Sequence, residues 1–360
     1  MKVVVAPDSF GGTLSAVEAA EAIANGWSQV RGGDEIVRLP LADGGEGTLE
    51  AVARDEDEWR TVEVADPLGR PRVASWLWRS DGTAIVESAE ACGLKLLKPA
   101  ERNPLRTTTY GVGQLLEEVR GSGCHHIAVG LGGSATVDGG AGAATALGVR
   151  VLRGGGSGVR IGGGGLVDVT RVVPQWLDPD WRDVEVVLWS DVETVLADAA
   201  ASFGPQKGAT PEAVERLAAG LARWAEVVER DLGGAWRHLP GSGAAGGLGF
   251  GLAAVFSARL VGGARAVAEL VGLDDALEDA DLVVTGEGRL DATSLQGKVV
   301  GAVLRSAAER DARVVGIVGE QGEKVEGLAD IEPASQDGPG RNPAAEVAAA
   351  AERLAVRIGS

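Results

Sequence analysis

The chain has 360 residues, 45% of them hydrophobic, and a formal net charge of −18. This length exceeds what one hydrophobic core usually supports, so two domains are expected. The acidic balance argues against a nucleic-acid partner, because a phosphate-binding surface needs a dense field of Lys and Arg. Two cysteines, Cys92 and Cys124, are too few for a disulfide framework, and no Cys/His spacing typical of a metal site occurs.

The hydropathy of the sequence does not indicate a membrane protein. Only a four-residue apolar run precedes Pro7, which is too short for a signal peptide. The uncharged stretch 241–257 is rich in glycine and falls short of a membrane span. We therefore expect a cytoplasmic protein with no membrane partner.

The first half of the chain contains two different strand patterns. Residues 2–7 and 35–39 are predicted strands, and they flank a predicted helix over 15–30 with Ser15 as its N-cap. This order predicts a parallel pair. From 61 to 89 short alternating strands are separated by Pro-Leu-Gly and Ser-Asp-Gly turns, a pattern typical of antiparallel hairpins.

The pattern then returns to alternating helices and strands. Residues 153–165 are predicted to form a glycine-rich surface loop or hairpin tip. The other predicted elements are helices at 108–121, 211–230, 259–271 and 343–357, and strands at 126–131, 281–285 and 313–318.

These elements predict a two-domain α/β fold. A Rossmann-like parallel-sheet domain is expected from three separated segments, 1–60, 105–137 and 270–360. An inserted second α/β domain containing antiparallel strands is expected from 61–104 and 138–269. We expect the active site in the cleft between the domains, where ligands often bind.

The most informative segment is 279–298, where a predicted strand is followed by glycines, acids and cations. Glycines let backbone N–H groups approach an anion, and Arg289 and Lys298 can neutralise it. Glu287 and Asp291 can hold a divalent cation. This is the chemistry that a bound nucleoside triphosphate requires.

Four other predicted strands end in similar loops. In an open parallel sheet, ligands lie beyond the carboxyl ends of the strands, so such loops can converge. The chemistry-bearing residues there are Asp8 and Ser9; Asp43 and Glu46; Gly132, Gly133, Ser134 and Asp138; and Asp191.

Several catalytic motifs are absent from the sequence. There is no GxxxxGK[ST] P-loop, no protein-kinase HRD or DFG set, and no GxGxxG after a strand. Three histidines give little support to a Ser-His-Asp hydrolase. Carboxylates, glycine turns, hydroxyls and a few cations remain, and they favour Mg²⁺-dependent phosphoryl transfer.

Seven segments resemble one known family and occur in its order: APDSFGGTLSA, PLADGGEGT, ERNPLRTTTYGVG, GLGGSATVDGG, FGPQKGA, PGSGAAGGLGFGL and DLVVTGEGRLDATSLQGK. The family is the bacterial glycerate kinases that phosphorylate D-glycerate at its 2-hydroxyl. The resemblance covers roughly residues 2–319. It implies ATP and Mg²⁺, two α/β domains of which one is Rossmann-like, and D-glycerate 2-kinase activity. The expected partners are the small-molecule substrate D-glycerate and a nucleotide. The resemblance leaves open whether the protein forms an oligomer.

The candidate residues fall into four roles. For the general base, Asp191 is the first choice and Asp43 the second, while Lys207 is expected to neutralise substrate carboxylate or transferring phosphoryl charge. The expected substrate-binding residues are Asp8, Ser9, Glu46, Asp138 and Arg289. The expected nucleotide-binding residues are Gly132, Gly133, Ser134, Gly286, Gly288 and Lys298. Glu287 and Asp291 are expected to bind Mg²⁺ or, as the alternative, the nucleotide ribose.

Each role has a plainer alternative. Asp191 can serve as a turn cap, Lys207 as a surface lysine, and Gly132 to Ser134 as a tight structural turn. Residues 243–247 can allow close backbone approach between domains or simply permit packing.

The chain departs from the family pattern at three places. Gly11 stands where the family usually has lysine, and Val137 where it usually has asparagine. After the pair Asp191 and Val192 the chain reads ETVLADAAAS in place of Asn-Pro-Leu and a glycine-rich turn. These departures leave two alternatives open: a sensor that binds glycerate or nucleotide without turnover, and a kinase for a related small hydroxy acid.

Overall fold

The structure is a computed structural model that describes residues 1–295, 298–321, 326–335 and 342–359. The chain separates into two compact units. The first unit comprises Met1–Asp43, Glu50–Ala53 and Gly262–Ser360, and the second unit comprises Gly44–Leu49 and Arg54–Val261.

The regular elements are as follows, in chain order. The strands are β1 Lys2–Pro7, β2 Glu35–Arg38, β3 Glu58–Ala65, β4 Pro71–Trp78, β5 Thr83–Glu87, β6 His126–Gly130, β7 Arg150–Arg153, β8 Val169–Val173, β9 Glu185–Trp189, β10 Arg259–Val261, β11 Leu282–Leu290, β12 Val314–Gln321 and β13 Asp330–Pro333. The α-helices are α1 Ala16–Val30, α2 Thr48–Val52, α3 Ala89–Cys92, α4 Tyr110–Gly121, α5 Ala141–Ala146, α6 Ala199–Phe203, α7 Pro211–Leu232, α8 Ala244–Phe256, α9 Gly263–Val271, α10 Leu273–Leu277, α11 Val299–Ala308 and α12 Pro343–Gly359. Short 3₁₀ helices cover Leu94–Leu96, Pro99–Glu101, Gly163–Asp168, Pro179–Asp183, Leu196–Asp198, Pro205–Lys207 and Ala292–Leu295.

The first unit is built on a parallel sheet of five strands in the order β13-β12-β11-β1-β2. Val3 of β1 lies opposite Ile36 on one side and Leu282 on the other. The predicted parallel pair of β1 and β2 is therefore confirmed. Strand β1 also joins the two ends of the chain, because its second neighbour comes about 280 residues later.

Helices cover the first sheet because alternate residues of its strands are apolar on both faces. Val3 and Val5 belong to a core that includes residues of α1 and α12. The two helices approach closely at Gly26, where a Cβ would come within 2.0 Å of the Ala348 carbonyl oxygen. Helix α1 begins at Ser15, which forms a reciprocal capping box with Glu18. The Rossmann-like expectation is confirmed.

The second unit contains a mixed sheet of six strands in the order β10-β9-β6-β5-β4-β3. Strands β5, β6, β9 and β10 run parallel, whereas β3, β4 and β5 pair antiparallel. The predicted switch to hairpins after residue 60 is confirmed. A separate antiparallel hairpin, β7 and β8, encloses the predicted glycine-rich loop.

The division of the chain differs from the predicted one in residues 105–137. They were expected in the first domain, but β6 pairs with β5 and β9 in the sheet of the second unit. Local sequence marks β6 as a strand without showing its neighbours, because pairing partners are set by tertiary packing. Residues 54–60 also lie in the second unit, since β3 begins at Glu58.

Two predicted element boundaries are also wrong. The helix expected at 259–271 starts later, because Arg259–Val261 form an edge strand beside β9 and α9 begins at Gly263. The strand expected to end at Thr285 continues to Leu290, since β11 keeps its pairing with β12 through Gly286 and Glu287. Glycines in a strand suggest a loop by propensity, and the neighbouring strand overrides that preference.

The glycine-rich stretch 241–257 forms the irregular helix α8. Its backbone has positive φ at Ala245, Gly246 and Gly247, so the helix is kinked there. A Cβ on Gly246 would come within 2.0 Å of the Thr136 carbonyl oxygen, in the same unit. These glycines therefore permit close packing within the second unit. No helix in the described part of the chain combines the length and apolarity that crossing a membrane requires.

Candidate active site

The end of β1 places three predicted acids of the first unit near one another. The backbone N–H of Asp8 donates to the Gly286 carbonyl at 2.8 Å, and its Oδ1 accepts the Ser9 N–H at 2.6 Å. Burial raises the pKa of the Asp8 carboxyl to about 7, and the negative charges of Asp43 and Glu287 add to this effect. The sequence therefore predicted residues that the fold does bring together.

Glu287 is the most buried member of this acidic group. It is 9% exposed, and its Oε1 accepts no hydrogen bond from any residue that the structure describes. Burial raises the pKa of Glu287. A hydrogen bond with Ser294 and the charge of Lys298 oppose that shift, while Asp291 adds to it. Glu287, Asp291 and Lys298 thus lie close enough for their charges to interact.

The predicted Mg²⁺ ligands can be tested against this geometry. Within residues 1–295, 298–321, 326–335 and 342–359, no group of three or more His, Cys, Asp or Glu side chains has the arrangement of a metal site. Mg²⁺ usually takes only one or two carboxylates and completes its shell with water and substrate phosphates. The open Oε1 of Glu287 fits such a ligand. The pair of Glu287 and Asp291 is therefore compatible with Mg²⁺ that arrives with a nucleotide.

The other predicted residues of this segment have different surroundings. Gly286 and Gly288 lie inside β11 and not in a loop, as noted above. A Cβ on Gly286 would come within 2.1 Å of the Ile317 carbonyl oxygen, and one on Gly288 within 2.9 Å of the Gly11 nitrogen. Close packing in the first unit therefore accounts for both glycines. Arg289 is exposed on the same strand.

In the second unit, the loop after β6 is held against the start of that unit. The Gly132 N–H donates to the Gly44 carbonyl at 3.2 Å, and a Cβ on Gly132 would lie 2.3 Å from Cα of Gly45. Gly132 is thus needed for close backbone approach, which supports the structural alternative. Gly133 is exposed with φ of +71°. Glu46 is also exposed and forms an ion pair with Lys95 at 2.6 Å.

Lys207 lies beneath this loop and is only 3% exposed. Its Nζ donates to Ser134 Oγ and to the Thr136 carbonyl oxygen, both at 2.8 Å. Burial lowers the pKa of Lys207 to about 8, because the charged form loses its hydration. The surface-lysine alternative is wrong. Lys207 contacts the loop from inside the protein and fixes the position of the Ser134 hydroxyl.

Asp138 is buried at 1% exposure and is surrounded by donors. Its carboxylate accepts hydrogen bonds from the Thr109 N–H at 2.8 Å, from the hydroxyls of Thr108 and Thr109 at 3.2 and 3.0 Å, and from the N–H groups of Gly140 and Gly142 at 3.2 and 3.3 Å. Both oxygens are therefore engaged at the starts of α4 and α5. These hydrogen bonds hold the Asp138 carboxylate in place, and its predicted contact with the substrate stays a prediction.

Asp191 follows the end of β9 and is partly buried. The preceding residue, Ser190, donates its N–H to the Val261 carbonyl at 3.0 Å. Because β9 is the parallel neighbour of β6, Asp191 lies at the same edge of the sheet as the loop that begins at Gly132. The sequence placed this acid at the correct end of a strand.

Two polar residues near the loop were not predicted as site residues. Arg102 lies in the segment ERNPLRTTTYGVG, and its Nε is buried without a hydrogen-bond acceptor among the described residues. Thr107, five residues later, donates its hydroxyl to the Ala135 carbonyl at 2.8 Å. The available signal for Arg102 was its place in a segment that resembles the kinase family. Because Arg102 does not follow a predicted strand, the search for strand-end loops did not select it.

Cys92 is a further polar neighbour that the sequence did not single out for the site. Burial raises the pKa of its thiol to about 12, although the positive charge of Lys207 opposes the shift. The thiol therefore stays protonated at neutral pH and is not a nucleophile.

The three departures from the family pattern now have structural contexts. Val137 is fully buried in an apolar core that includes Leu217 and Phe250. Leu196, in the segment after Asp191, is buried and donates its N–H to Ser242 Oγ at 2.9 Å. Both positions contribute to packing. Gly11 is exposed at φ +53°, and a Cβ there would meet no atom within 4 Å.

Comparison with known proteins identifies the family. A family model described as the glycerate kinase family matches residues 3–357. The chain belongs to the glycerate kinase family. The glycerate kinase of Bacillus subtilis (strain 168) is 42% identical over 89% of this chain and 85% of its own length. The glycerate 2-kinase of Escherichia coli (strain K12) is 41% identical over 89% and 85%.

A solved structure extends the glycerate kinase match to the whole fold. A crystal structure from Salmonella typhimurium LT2, of a protein with a provisional assignment as glycerate kinase 2, aligns with a TM-score of 0.86 at 39% identity. The alignment covers 100% of this chain and 98% of that one. The two-unit α/β architecture is therefore one that this family shares, and the protein is a kinase.

Proposed function

We propose that this kinase transfers the γ-phosphoryl group of ATP to the 2-hydroxyl of D-glycerate, giving 2-phosphoglycerate, with Mg²⁺ as the metal. The observation that carries the proposal is the Escherichia coli relative named glycerate 2-kinase, which aligns over 89% of the chain. Strand-end acids and cations support it, because phosphoryl transfer depends on positioning and charge neutralisation.

The first unit is proposed to supply the metal ligands. Glu287 and Asp291 would hold Mg²⁺, which when bound neutralises negative charge on the nucleotide phosphates. The open Oε1 of Glu287 and the mutual repulsion of Asp8, Asp43 and Glu287 support this assignment, since a buried cluster of acids is stabilised by a cation. Lys298 would contact phosphate oxygens from the start of α11.

The second unit is proposed to supply the base and the support for the substrate. Asp191 would accept the proton of the glycerate 2-hydroxyl, with Asp43 of the first unit as the alternative base. Ser134 would face the reacting groups, held from beneath by Lys207 at 2.8 Å. In this assignment Lys207 acts through Ser134 and does not touch the substrate.

A coupled ADP-release assay over a panel of small hydroxy acids tests the proposal. D-glycerate should give the highest kcat/KM, turnover should require Mg²⁺, and NMR of the product should show phosphate on the 2-oxygen. Heat-inactivated protein and reactions without acceptor give the background. Glycerate binding by calorimetry without ADP release would establish the sensor alternative, and faster turnover of another acid would establish the related-substrate alternative.

A further inference from the structure

Arg102 has a buried donor for which the described part of the chain offers no acceptor. The residue is partly buried, and its Nε is shielded from solvent without an acceptor among the residues that the structure describes. Within those same ranges its guanidinium forms no ion pair, whereas arginines such as Arg70 and Arg120 bind carboxylates. A buried guanidinium N–H without an acceptor is costly, so such a group indicates a missing anion.

The segment that contains Arg102 runs along the loop after β6. At one end, Gly208 packs on Arg102 so closely that a Cβ there would lie 2.4 Å from the Arg102 carbonyl oxygen. Gly208 directly follows Lys207, whose Nζ binds Ser134. At the other end, the Thr107 hydroxyl binds the Ala135 carbonyl. Arg102 is therefore held beside the turn that carries Lys207 and beside the Ser134 loop.

Nearby acids are already committed to other partners. Asp138 accepts hydrogen bonds from the backbone and hydroxyls at the starts of α4 and α5, as described above. Glu101, adjacent to Arg102 in the chain, pairs with Arg70 at 2.8 Å and accepts the Lys98 N–H at 2.9 Å. Arg102 and Lys207 thus lie on adjoining chain segments, and Lys207 binds the Ser134 hydroxyl, in a region where Asp138 and Glu101 already have partners. This is an environment suited to an anion from outside the protein.

We propose that Arg102 binds the carboxylate of the hydroxy-acid substrate, an inference that rests on the proposed function. The planar guanidinium presents paired N–H donors that match the two oxygens of a carboxylate. Arg102 is thereby the residue that distinguishes an acid substrate from a neutral alcohol. Lys207 supports the same site by holding Ser134.

Calorimetry on the full-length protein tests the assignment. Arg102→Gln should raise the Kd for D-glycerate about 10- to 100-fold, because a charge-assisted contact is lost. The Kd for ATP should change less than about twofold, since that ligand keeps its contacts. Arg171→Gln removes one exposed positive charge from β8 of the same unit and serves as the matched control. Melting temperatures of all variants establish that they fold.

The binding preference for an acid over its neutral analogue distinguishes a carboxylate contact of Arg102 from a purely structural role, which would not change that preference. The wild-type protein should bind D-glycerate more tightly than glyceramide, its neutral analogue, and Arg102→Gln should lose most of this preference. Arg102→Lys keeps the charge without the planar donor pair, so it should keep part of the preference. It also carries the test if Arg102→Gln fails to fold.

The outcomes separate the inference from the function on which it rests. An unchanged glycerate Kd in a folded Arg102 variant, or a rise in the ATP Kd instead, would overturn the assignment while wild-type turnover of glycerate stands. The second result would place a nucleotide phosphate at Arg102. If the wild-type protein neither binds nor phosphorylates D-glycerate, the proposed function fails, and the inference fails with it.

Discussion

Burial acts on opposite charges in the two units. In the first unit it raises the pKa of the Asp8 carboxyl to about 7, and in the second it lowers the pKa of the Lys207 ammonium to about 8. Both shifts favour the neutral form, because a buried charge loses hydration. Each unit also buries a charged side chain with an atom that has no hydrogen-bond partner among the described residues, Glu287 Oε1 in the first unit and Arg102 Nε, among others, in the second.

This contrast supports the different ligands that we propose for the two units. Repelling carboxylates are stabilised by a metal cation, whereas cations and hydroxyls are stabilised by an anion. A kinase for a small acid requires both.

Asp191 does not follow this contrast, because it is an acid of the second unit and is proposed to act as the general base. Asp191→Asn should lower kcat by about 10²- to 10⁴-fold while the Kd for ATP stays nearly unchanged, because a general base acts in the transition state. Steady-state kinetics and ATP calorimetry measure the two quantities. Full activity in the variant would move the base to Asp43 and so to the first unit.

Glu287 tests the metal assignment of the first unit. Glu287→Gln keeps the shape of the side chain and removes its charge, so the Mg²⁺ concentration for half-maximal activity should rise about 10- to 100-fold. Glu320→Gln is the matched control, since Glu320 is an exposed acid on β12 of the same unit. Equal Mg²⁺ dependence in Glu287→Gln and wild type would contradict the assignment.

Lys207 tests burial in the second unit through the pH dependence of stability. The folded protein releases this proton near pH 8, whereas the unfolded chain holds it to about 10.5. Between these values the unfolded state binds more protons, so Lys207 makes the free energy of unfolding rise with pH. This contribution of Lys207 to the free energy of unfolding is fully present above pH 10.5. It decreases as the pH falls from 10.5 and is lost once the pH falls through 8.

The Lys207→Met variant removes this component. Its free energy of unfolding should rise less between pH 8 and 10 than that of wild type, by at most about 1.4 kcal/mol per pH unit. Denaturant titrations at several pH values measure the difference. Lys95→Met, at a lysine side chain that is 69% exposed, should keep the wild-type slope. Parallel curves for Lys207→Met and wild type would show that Lys207 is not desolvated.

The substitution Gly11→Lys should have the smallest effect on activity. Lysine there would add a cation next to the acids of the first unit, and Gly11→Lys should lower the KM for glycerate or ATP about two- to fivefold, as expected for an exposed ion pair. At φ +53° the variant should also lose about 1–2 kcal/mol of stability.

Gly12→Lys is the control for Gly11→Lys, because Gly12 is also exposed and has φ of +82°. It should show a stability loss without the gain in KM. Unchanged KM and kcat in Gly11→Lys would mean that this loop does not touch the ligands, and the proposed contacts of Asp8 and Ser9 would fall with it.

Local sequence patterns predicted much of the fold. The Ser15 N-cap of α1, the parallel pair of β1 and β2, the hairpins after residue 60 and the long helices α7 and α12 all follow from signals within a few residues. These elements were predictable because helix periodicity, caps and turn residues act over one or two turns of chain.

Candidate site residues were predictable for a similar reason. Acids and glycines directly after a strand mark its carboxyl end, and this placed Asp8 and Asp191 at strand ends of the two sheets. The same rule named Asp138 and Gly132 without showing their surroundings. Asp138 proved to be engaged by hydrogen bonds, and Gly132 by backbone packing.

Sequence patterns alone were enough to predict the family, the order of strands and helices and the chemical types available to the site. The sheet that β6 joins, the continuation of β11 past Thr285 and the partners of the buried groups among the described residues became known only from the fold, because the residues that set them are far apart in the chain. Lys207 meets Ser134 across 73 residues, and β1 pairs with β11 across about 280. Burial and hydrogen-bond satisfaction are set by such remote neighbours, which no local pattern contains.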